Sequence, residues 1–237
     1  MYKNKIVLIT GSSRGVGLEI ANYYLNNNAI VIGLSRGVSS IDNLNYYHYE
    51  LDLSKSEEIG STFRIIAKNH KRIDIVINNA AVLTSQYSMI MPLQNAIDMV
   101  NVDLLAVFFV SREAAKLMRK NSYGRIINIS SMAASLEPIG DSLYAACKVG
   151  VHTLANVMAK EFASMNVTCN TIAITAIETD MLNQHSPTAQ IKIKGIIDSL
   201  PIPRMAVIDD ILNVLDFFSS ERSSYITAQI IYLGGIN

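Results

Sequence analysis

The run Ile6-Val7-Leu8-Ile9-Thr10-Gly11-Ser12-Ser13-Arg14-Gly15-Val16-Gly17 decides how this chain is read. Its first five residues are apolar or β-branched without polar alternation, which is how a strand covered on both faces reads. The glycines let the backbone turn sharply and come close to a bound group. Helical spacing then runs over Val16–Asn26, and a helix start offers free N–H groups and the positive end of a dipole to an anion. Strand, glycine turn and helix together predict a phosphate-binding turn. The spacing is Gly-x-x-x-Gly-x-Gly rather than the commoner Gly-x-Gly-x-x-Gly, and by itself it leaves a plain strand-to-helix turn open.

Working outward, further β-branched runs occur at Ala29–Leu34, Tyr46–Leu51, Ile73–Asn78, Arg125–Ser130, Val167–Ala173 and Ile226–Leu233. Stretches with helical spacing lie at Glu57–Lys68, Leu93–Lys120 and Ser142–Met165. Strands alternating with helices predict an α/β fold: a three-layer, doubly wound, Rossmann-type parallel sheet of about seven strands with helices on both faces. The Ser35–Asn45 link is short and polar, so no crossover helix is expected there. The 237 residues suit one domain spanning residues 1–237, with an irregular stretch at 182–203 as its substrate loop.

Half of the residues are hydrophobic, 17% are charged, and the mean hydropathy is +0.25. A sheet buried on both faces and surface buried between subunits both produce such a composition. Twenty basic residues balance twenty acidic ones, with no basic stripe, which argues against nucleic acid as a partner. Cys147 and Cys169 have no metal-binding or redox spacing and read as buried free thiols. The histidines His48, His70, His152 and His185 show no ligand spacing, so no metal is expected. Ile6–Ile9 is too short for a signal peptide, and no apolar run approaches a membrane span. A cytoplasmic protein with no membrane partner is expected.

The second strand ends at Leu34-Ser35-Arg36. An acidic side chain there would grip a ribose 2′-OH and repel a 2′-phosphate. The chain carries Arg36 instead, and Arg14 can converge on the same point, which predicts NADP(H) over NAD(H). Farther along, Tyr144 and Lys148 stand four apart on a predicted helix and so share a face. A phenol held near a fixed ammonium ionises more readily, which makes it a proton donor and acceptor near neutral pH. A solvated helix face produces the same spacing, so the pair needs its context.

That context resembles the short-chain dehydrogenase/reductase family, and the matching motifs cover nearly the whole chain in order. Thr10–Gly17 is similar to its cofactor turn, which implies contacts from Gly11, Ser13, Arg14, Gly15, Val16 and Gly17. Asp52 in Leu51-Asp52-Leu53 is similar to the adenine contact, with Leu53 beside it. Asn78-Asn79-Ala80-Ala81 resembles the Asn-Asn-Ala-Gly motif and implies cofactor contacts from Asn79, Ala80 and Ala81. Ser35, Arg36, Ile177 and Thr179 complete the implied cofactor contacts. Asn101 in Asn101-Val102 is taken as the family's active-site asparagine, which would position a water linking Lys148 to solvent. Ser131 lies 13 residues before Tyr144 (144 − 131), the family separation. The resemblance implies that Tyr144 gives its proton to a developing alkoxide, Ser131 bonds the same oxygen, and Lys148 assists Tyr144 and holds the nicotinamide ribose.

Within the family the chain is most similar to bacterial β-ketoacyl-carrier-protein reductases, through Ile177–Met181, Tyr225-Ile226-Thr227 and Gly234-Gly235. This implies an NADPH-dependent reductase of a carbonyl, with 3-oxoacyl thioesters as one substrate class. A dehydrogenase or ketoreductase for a sugar or secondary metabolite is the alternative, and a non-catalytic cofactor-sensing subunit a further one. The chain departs from the family pattern at Ile174-Thr175, where Pro-Gly is usual, and at Ala81, Ala206 and Ala228, where glycine is usual. The family also implies a homotetramer or homodimer built on the Leu93–Lys120 and Ser142–Met165 helices. Arg112, Lys116, Arg119 and Lys120 offer a basic patch that could accept a carrier protein.

Overall fold

A computed structural model of the chain describes residues 2–177 and 194–235. It contains one seven-stranded sheet in the order β3-β2-β1-β4-β5-β6-β7, with every neighbouring pair parallel. The strands are β1 (Ile6–Thr10), β2 (Ile30–Ser35), β3 (Tyr46–Glu50), β4 (Ile75–Asn78), β5 (Gly124–Ser131), β6 (Val167–Ile174) and β7 (Ile230–Tyr232). The helices are α1 (Gly15–Asn26), α2 (Ser56–His70), α3 (Leu93–Val100), α4 (Ala106–Met118), the one-turn α5 (Ala133–Leu136), α6 (Ser142–Phe162) and α7 (Ile208–Ser219). As expected, no helix fills the link between β2 and β3.

Successive strand residues face opposite sides of the sheet, and both sides are covered. Val7 and Ile9 of β1, with Ile75 and Ile77 of β4, join a core shared with Ile20 and Tyr24 of α1 and Leu215 and Phe218 of α7. Leu8 and Val76 point the other way, into a core shared with Phe63 of α2, Val110 of α4 and Met158 of α6. Every residue of β1 is buried, so the unbroken apolar run reflects two interiors rather than one. Burying a side chain of this size contributes roughly 1.5–3 kcal/mol, which favours apolar residues at each position.

The strand order reverses between β1, which pairs with β2 on one side, and β4 on the other. In open α/β sheets a crevice forms outside the carboxyl ends of the strands at such a reversal. The segments leaving β1, β2, β3 and β4 all emerge at that edge, and they carry the predicted cofactor residues Gly11, Ser13–Gly17, Arg36, Asp52, Leu53 and Asn79–Ala81.

One helical feature departs from expectation. The stretch read as a single helix over Leu93–Lys120 is interrupted by a π-helical turn at Asn101–Leu105, where the Ala106 N–H donates to the Asn101 carbonyl five residues back. The continuous helical run Leu93–Asn121 is also long and apolar enough, by length and composition, to cross a membrane. Asn95, Asp98, Asn101, Asp103 and Arg112 interrupt it, so the sequence holds no uninterrupted apolar run of that length, as expected. Within the fold, α4 lies against β4, β5 and α2 as part of one helical layer.

Candidate active site

The phosphate turn is shaped by its glycines. Gly11 has φ +71° and Gly15 has φ +55°, backbone conformations that L side chains rarely adopt. A Cβ on Gly17 would fall within van der Waals contact of the Gly11 carbonyl and 2.5 Å from Asn79 Nδ2, so α1 can start this close to β4 only with glycine there. The Thr10 hydroxyl accepts the N–H groups of Asn79 and Ala80 at 2.9 and 3.0 Å, and Asn79 Nδ2 donates to the Thr10 carbonyl at 3.0 Å. These bonds tie the end of β1 to the end of β4 across the strand-order reversal.

A cleft of about 490 Å³ opens at this edge. The predicted residues Gly11, Ser13, Arg14, Gly15, Val16, Gly17, Ser35, Arg36, Asp52, Leu53, Asn79, Ala80, Ala81, Tyr144 and Lys148 all line it. Three features fit a nicotinamide dinucleotide. Arg14, the residue before α1, makes no side-chain cap hydrogen bond, and the first turn of α1 holds no acidic residue, so its N–H groups remain free for a phosphate. A Cβ on Gly15 would meet nothing within 4 Å, leaving open space over the turn. Arg14 and Arg36 are both exposed at the cleft edge, where a further phosphate would be met. Asp52 accepts from the Ser54 N–H and hydroxyl at 3.1 and 2.9 Å. Partial burial raises its pKa, but these bonds and nearby Arg36 outweigh that and hold the carboxyl below its ordinary value.

At the far end of the cleft, Lys148 Nζ lies 5.2 Å from the centroid of the Tyr144 ring. Both residues project from α6, one turn apart, with Tyr144 half-buried and Lys148 buried. Strand alternation separates the two serines at the end of β5. Ser130 is buried, and its Oγ is 2.8 Å from His152 Nε2. Ser131 is half-buried, does not line the cleft, and its Oγ accepts the Ala133 N–H at 3.1 Å, so its own hydroxyl hydrogen remains available to donate.

The structure does not bring every predicted residue to the cleft. Asn101 starts the π-helical turn and lines a separate apolar pocket with Ala96, Ile97, Val100 and Leu143. The residue from this segment that stands against Lys148 is Asp103, with Oδ1 3.2 Å from Nζ. Ile177 packs in the α1 and α7 core, pairs with Ala206 through a parallel bridge and does not line the cleft. Thr179, and the part of the predicted substrate loop up to residue 193, lie outside the described residues. Val82, Val102 and Ile129 line the cleft without having been predicted, beside Ser130 and Ile174. They are ordinary core-type residues, and no signal in the sequence separates them from the rest of the interior.

Comparison with known proteins agrees with this geometry. Residues 5–190 match the model of the short chain dehydrogenase family. The 3-oxoacyl-(acyl-carrier-protein) reductase of Buchnera aphidicola subsp. Baizongia pistaciae is 33% identical over 98% of this chain and 96% of that protein. The enzyme of the same name from Escherichia coli K12 is 30% identical over 99% and 97%. The ligand-free aldohexose dehydrogenase of Thermoplasma acidophilum has the same fold, with a TM-score of 0.89 at 24% identity, covering 98% of this chain and 94% of that one. The chain therefore belongs to the short-chain dehydrogenase family of NAD(P)-dependent oxidoreductases.

Proposed function

We propose that the protein is an NADPH-dependent carbonyl reductase in which Tyr144 is the proton donor. The observation that carries this reading is that Tyr144 and Lys148 line the same cleft as the Gly11–Gly17 turn and Arg36. When bound, the nicotinamide nucleotide supplies hydride to the carbonyl carbon. The free N–H groups at the start of α1 hold its diphosphate, and Arg14 and Arg36 hold the 2′-phosphate that distinguishes NADP from NAD. Asn79, Ala80 and Asp52 border the adenosine end. Tyr144 donates its hydroxyl proton to the carbonyl oxygen as negative charge grows there. Ser131 donates a second hydrogen bond to that oxygen, stabilising charge that is largest in the transition state. Lys148 keeps a positive charge beside the Tyr144 ring and holds the nicotinamide ribose.

For the substrate we infer a 3-oxoacyl thioester, on the strength of the relatives' reductase name and their match over nearly the whole chain. The basic residues that would face a carrier protein are partly engaged, because Arg112 and Lys116 both bond Glu113 at 2.7 Å. Exposed apolar side chains on the outer helices, Ile97 of α3 and Val149 and Val157 of α6, support assembly into a homodimer or homotetramer in the cytoplasm. The test is oxidation of NADPH by the purified protein over acyl thioesters, keto sugars and small ketones, repeated with NADH and with Tyr144→Phe. The expected result is a preference for NADPH and a thioester, with Tyr144→Phe still binding nucleotide but losing nearly all reduction. A preference for NADH would overturn the cofactor assignment, and full activity of Tyr144→Phe the role of Tyr144.

A further inference from the structure

Lys148 and Asp103 form an enclosed ion pair, with side chains 3% and 0% exposed and Nζ 3.2 Å from Oδ1. Oδ1 also accepts the Val82 N–H at 3.3 Å. Oδ2 is buried and has no hydrogen-bond partner among the described residues. Both of the carboxylate's contacts are thus made through Oδ1, one of them to the ammonium. No other carboxylate among the described residues lies within ion-pair distance of Lys148.

Asp103 reaches this position through the π-helical turn Asn101–Leu105. One extra residue in a turn rotates everything beyond it by about 100° around the helix axis. The turn lies between α3 and α4, and it places Asp103 inward on the side facing α6. Such single-turn bulges are frequent at functional sites.

The titratable groups facing the pair are Tyr144, Cys147 and His152, all on α6. Burial pushes the Cys147 thiol up to about 11, with Asp103 adding to the rise, so it is neutral near pH 7. Burial and then the nearby ammonium lower His152 below its ordinary value, which keeps it neutral as well. Burial lowers the pKa of Lys148, but Tyr144 and Asp103 outweigh it and leave it above its ordinary value. Burial also raises Asp103, and Lys148 and the Val82 N–H draw it only part of the way back. Asp103 is the carboxyl group that faces the Lys148 ammonium, with Oδ1 3.2 Å from Nζ.

We propose that Asp103 is a positioning residue for the reaction: it fixes Lys148 beside Tyr144 and offsets its charge, and through Lys148 it sets the alkaline limit of carbonyl reduction. An isolated ammonium near a phenol favours the phenolate strongly, whereas an ammonium with its own carboxylate presents a smaller net field. The proposal rests on the reading of Tyr144 as the proton donor.

The test is the pH dependence of kcat/KM for NADPH-dependent carbonyl reduction in the wild type, Asp103→Asn and Asp103→Glu. Carbonyl reduction takes up a proton, so the rate falls above an alkaline limb. The asparagine keeps an oxygen for Nζ and Val82 but removes the charge, and its limb is expected to move to lower pH by about one unit. Above the wild-type limb this is about a tenfold relative loss. Asp103→Glu keeps the charge, and its limb is expected to stay within about half a unit of wild type. Nucleotide binding, followed by NADPH fluorescence, reports folding separately. A purely structural role would change stability or amplitude and leave the limb in place.

An active Asp103→Asn with an unmoved limb overturns the proposal and leaves the role of Tyr144 intact. If Asp103→Asn does not fold, because a buried ammonium has lost its partner, Asp103→Glu decides. A limb displaced by a unit or more with nucleotide binding intact then overturns the proposal, and an unmoved one supports it. Failure of the underlying reading is seen in a different variant, as full reduction by Tyr144→Phe.

Discussion

The same chemical change at two helical glycines should have opposite effects. Gly60 lies inside α2, where a Cβ would meet no atom within 4 Å. Gly17 lies in the first turn of α1, where a Cβ would sit 2.9 Å from the Gly11 carbonyl carbon, nearer still to its oxygen, and 2.5 Å from Asn79 Nδ2. Alanine stabilises a helix interior over glycine by about 0.5–1 kcal/mol, so Gly60→Ala should raise Tm by about 1–4 °C for a chain of this length. Gly17→Ala meets backbone that must part by roughly 1 Å to restore normal contact, and overpacking of this kind costs about 1–3 kcal/mol. After the helix gain, a net loss of up to about 2.5 kcal/mol remains, lowering Tm by up to about 10 °C. The displaced atoms are the phosphate turn itself. Losing one charge-assisted hydrogen bond to a phosphate is worth about 1.5–3 kcal/mol, which weakens nucleotide binding about tenfold or more. Thermal unfolding by circular dichroism, with NADPH fluorescence titration, measures both effects. A Gly17→Ala protein as stable and as tight for nucleotide as wild type would refute the close approach of α1 to β1 and β4.

Two further outcomes follow from the environments of single groups. Burial pushes the Cys169 thiol up to about 12 and Cys147 up to about 11, so at pH 8 the native protein should react negligibly with a thiol-specific disulfide reagent and show two thiols in denaturant; rapid native labelling would contradict their burial. Asp210 is held down to about 2 by Arg204, whose guanidinium bonds it at 2.7 and 2.8 Å, and by the Val207 N–H at 2.9 Å. A depressed carboxyl contributes stability fully above its unfolded value near 3.9 and loses it as pH falls towards about 2. The Tm difference between wild type and Asp210→Asn should therefore be larger at pH 6 than at pH 2.5, and an equal difference at both would sink the assignment.

The central strands were the most legible because a parallel sheet covered on both faces leaves an unbroken apolar run there, as in Ile6–Ile9 and Ile75–Ile77. The glycine turn was legible because only glycine fits its positive φ angles and close approaches. The pairing of Tyr144 with Lys148 needed only the four-residue repeat of a helix. These are local constraints, and local constraints leave their mark on neighbouring residues. Asn101 shows the opposite case. Its helix was read as uninterrupted, and the π-helical turn, which no residue type announces, put Asp103 against Lys148 and directed Asn101 to a different pocket. Which of two polar residues, two positions apart, meets a lysine some forty-five residues later depends on one extra residue in a helical turn. Likewise Val82, Val102 and Ile174 reach the cleft only because distant strands end side by side at the sheet edge. The sequence by itself determined the layers, the phosphate turn and the tyrosine–lysine pair, because periodicity and backbone sterics act within a few residues. Only the tertiary structure decided which charge faces Lys148, because that depends on helix rotation and on packing between segments far apart in the chain.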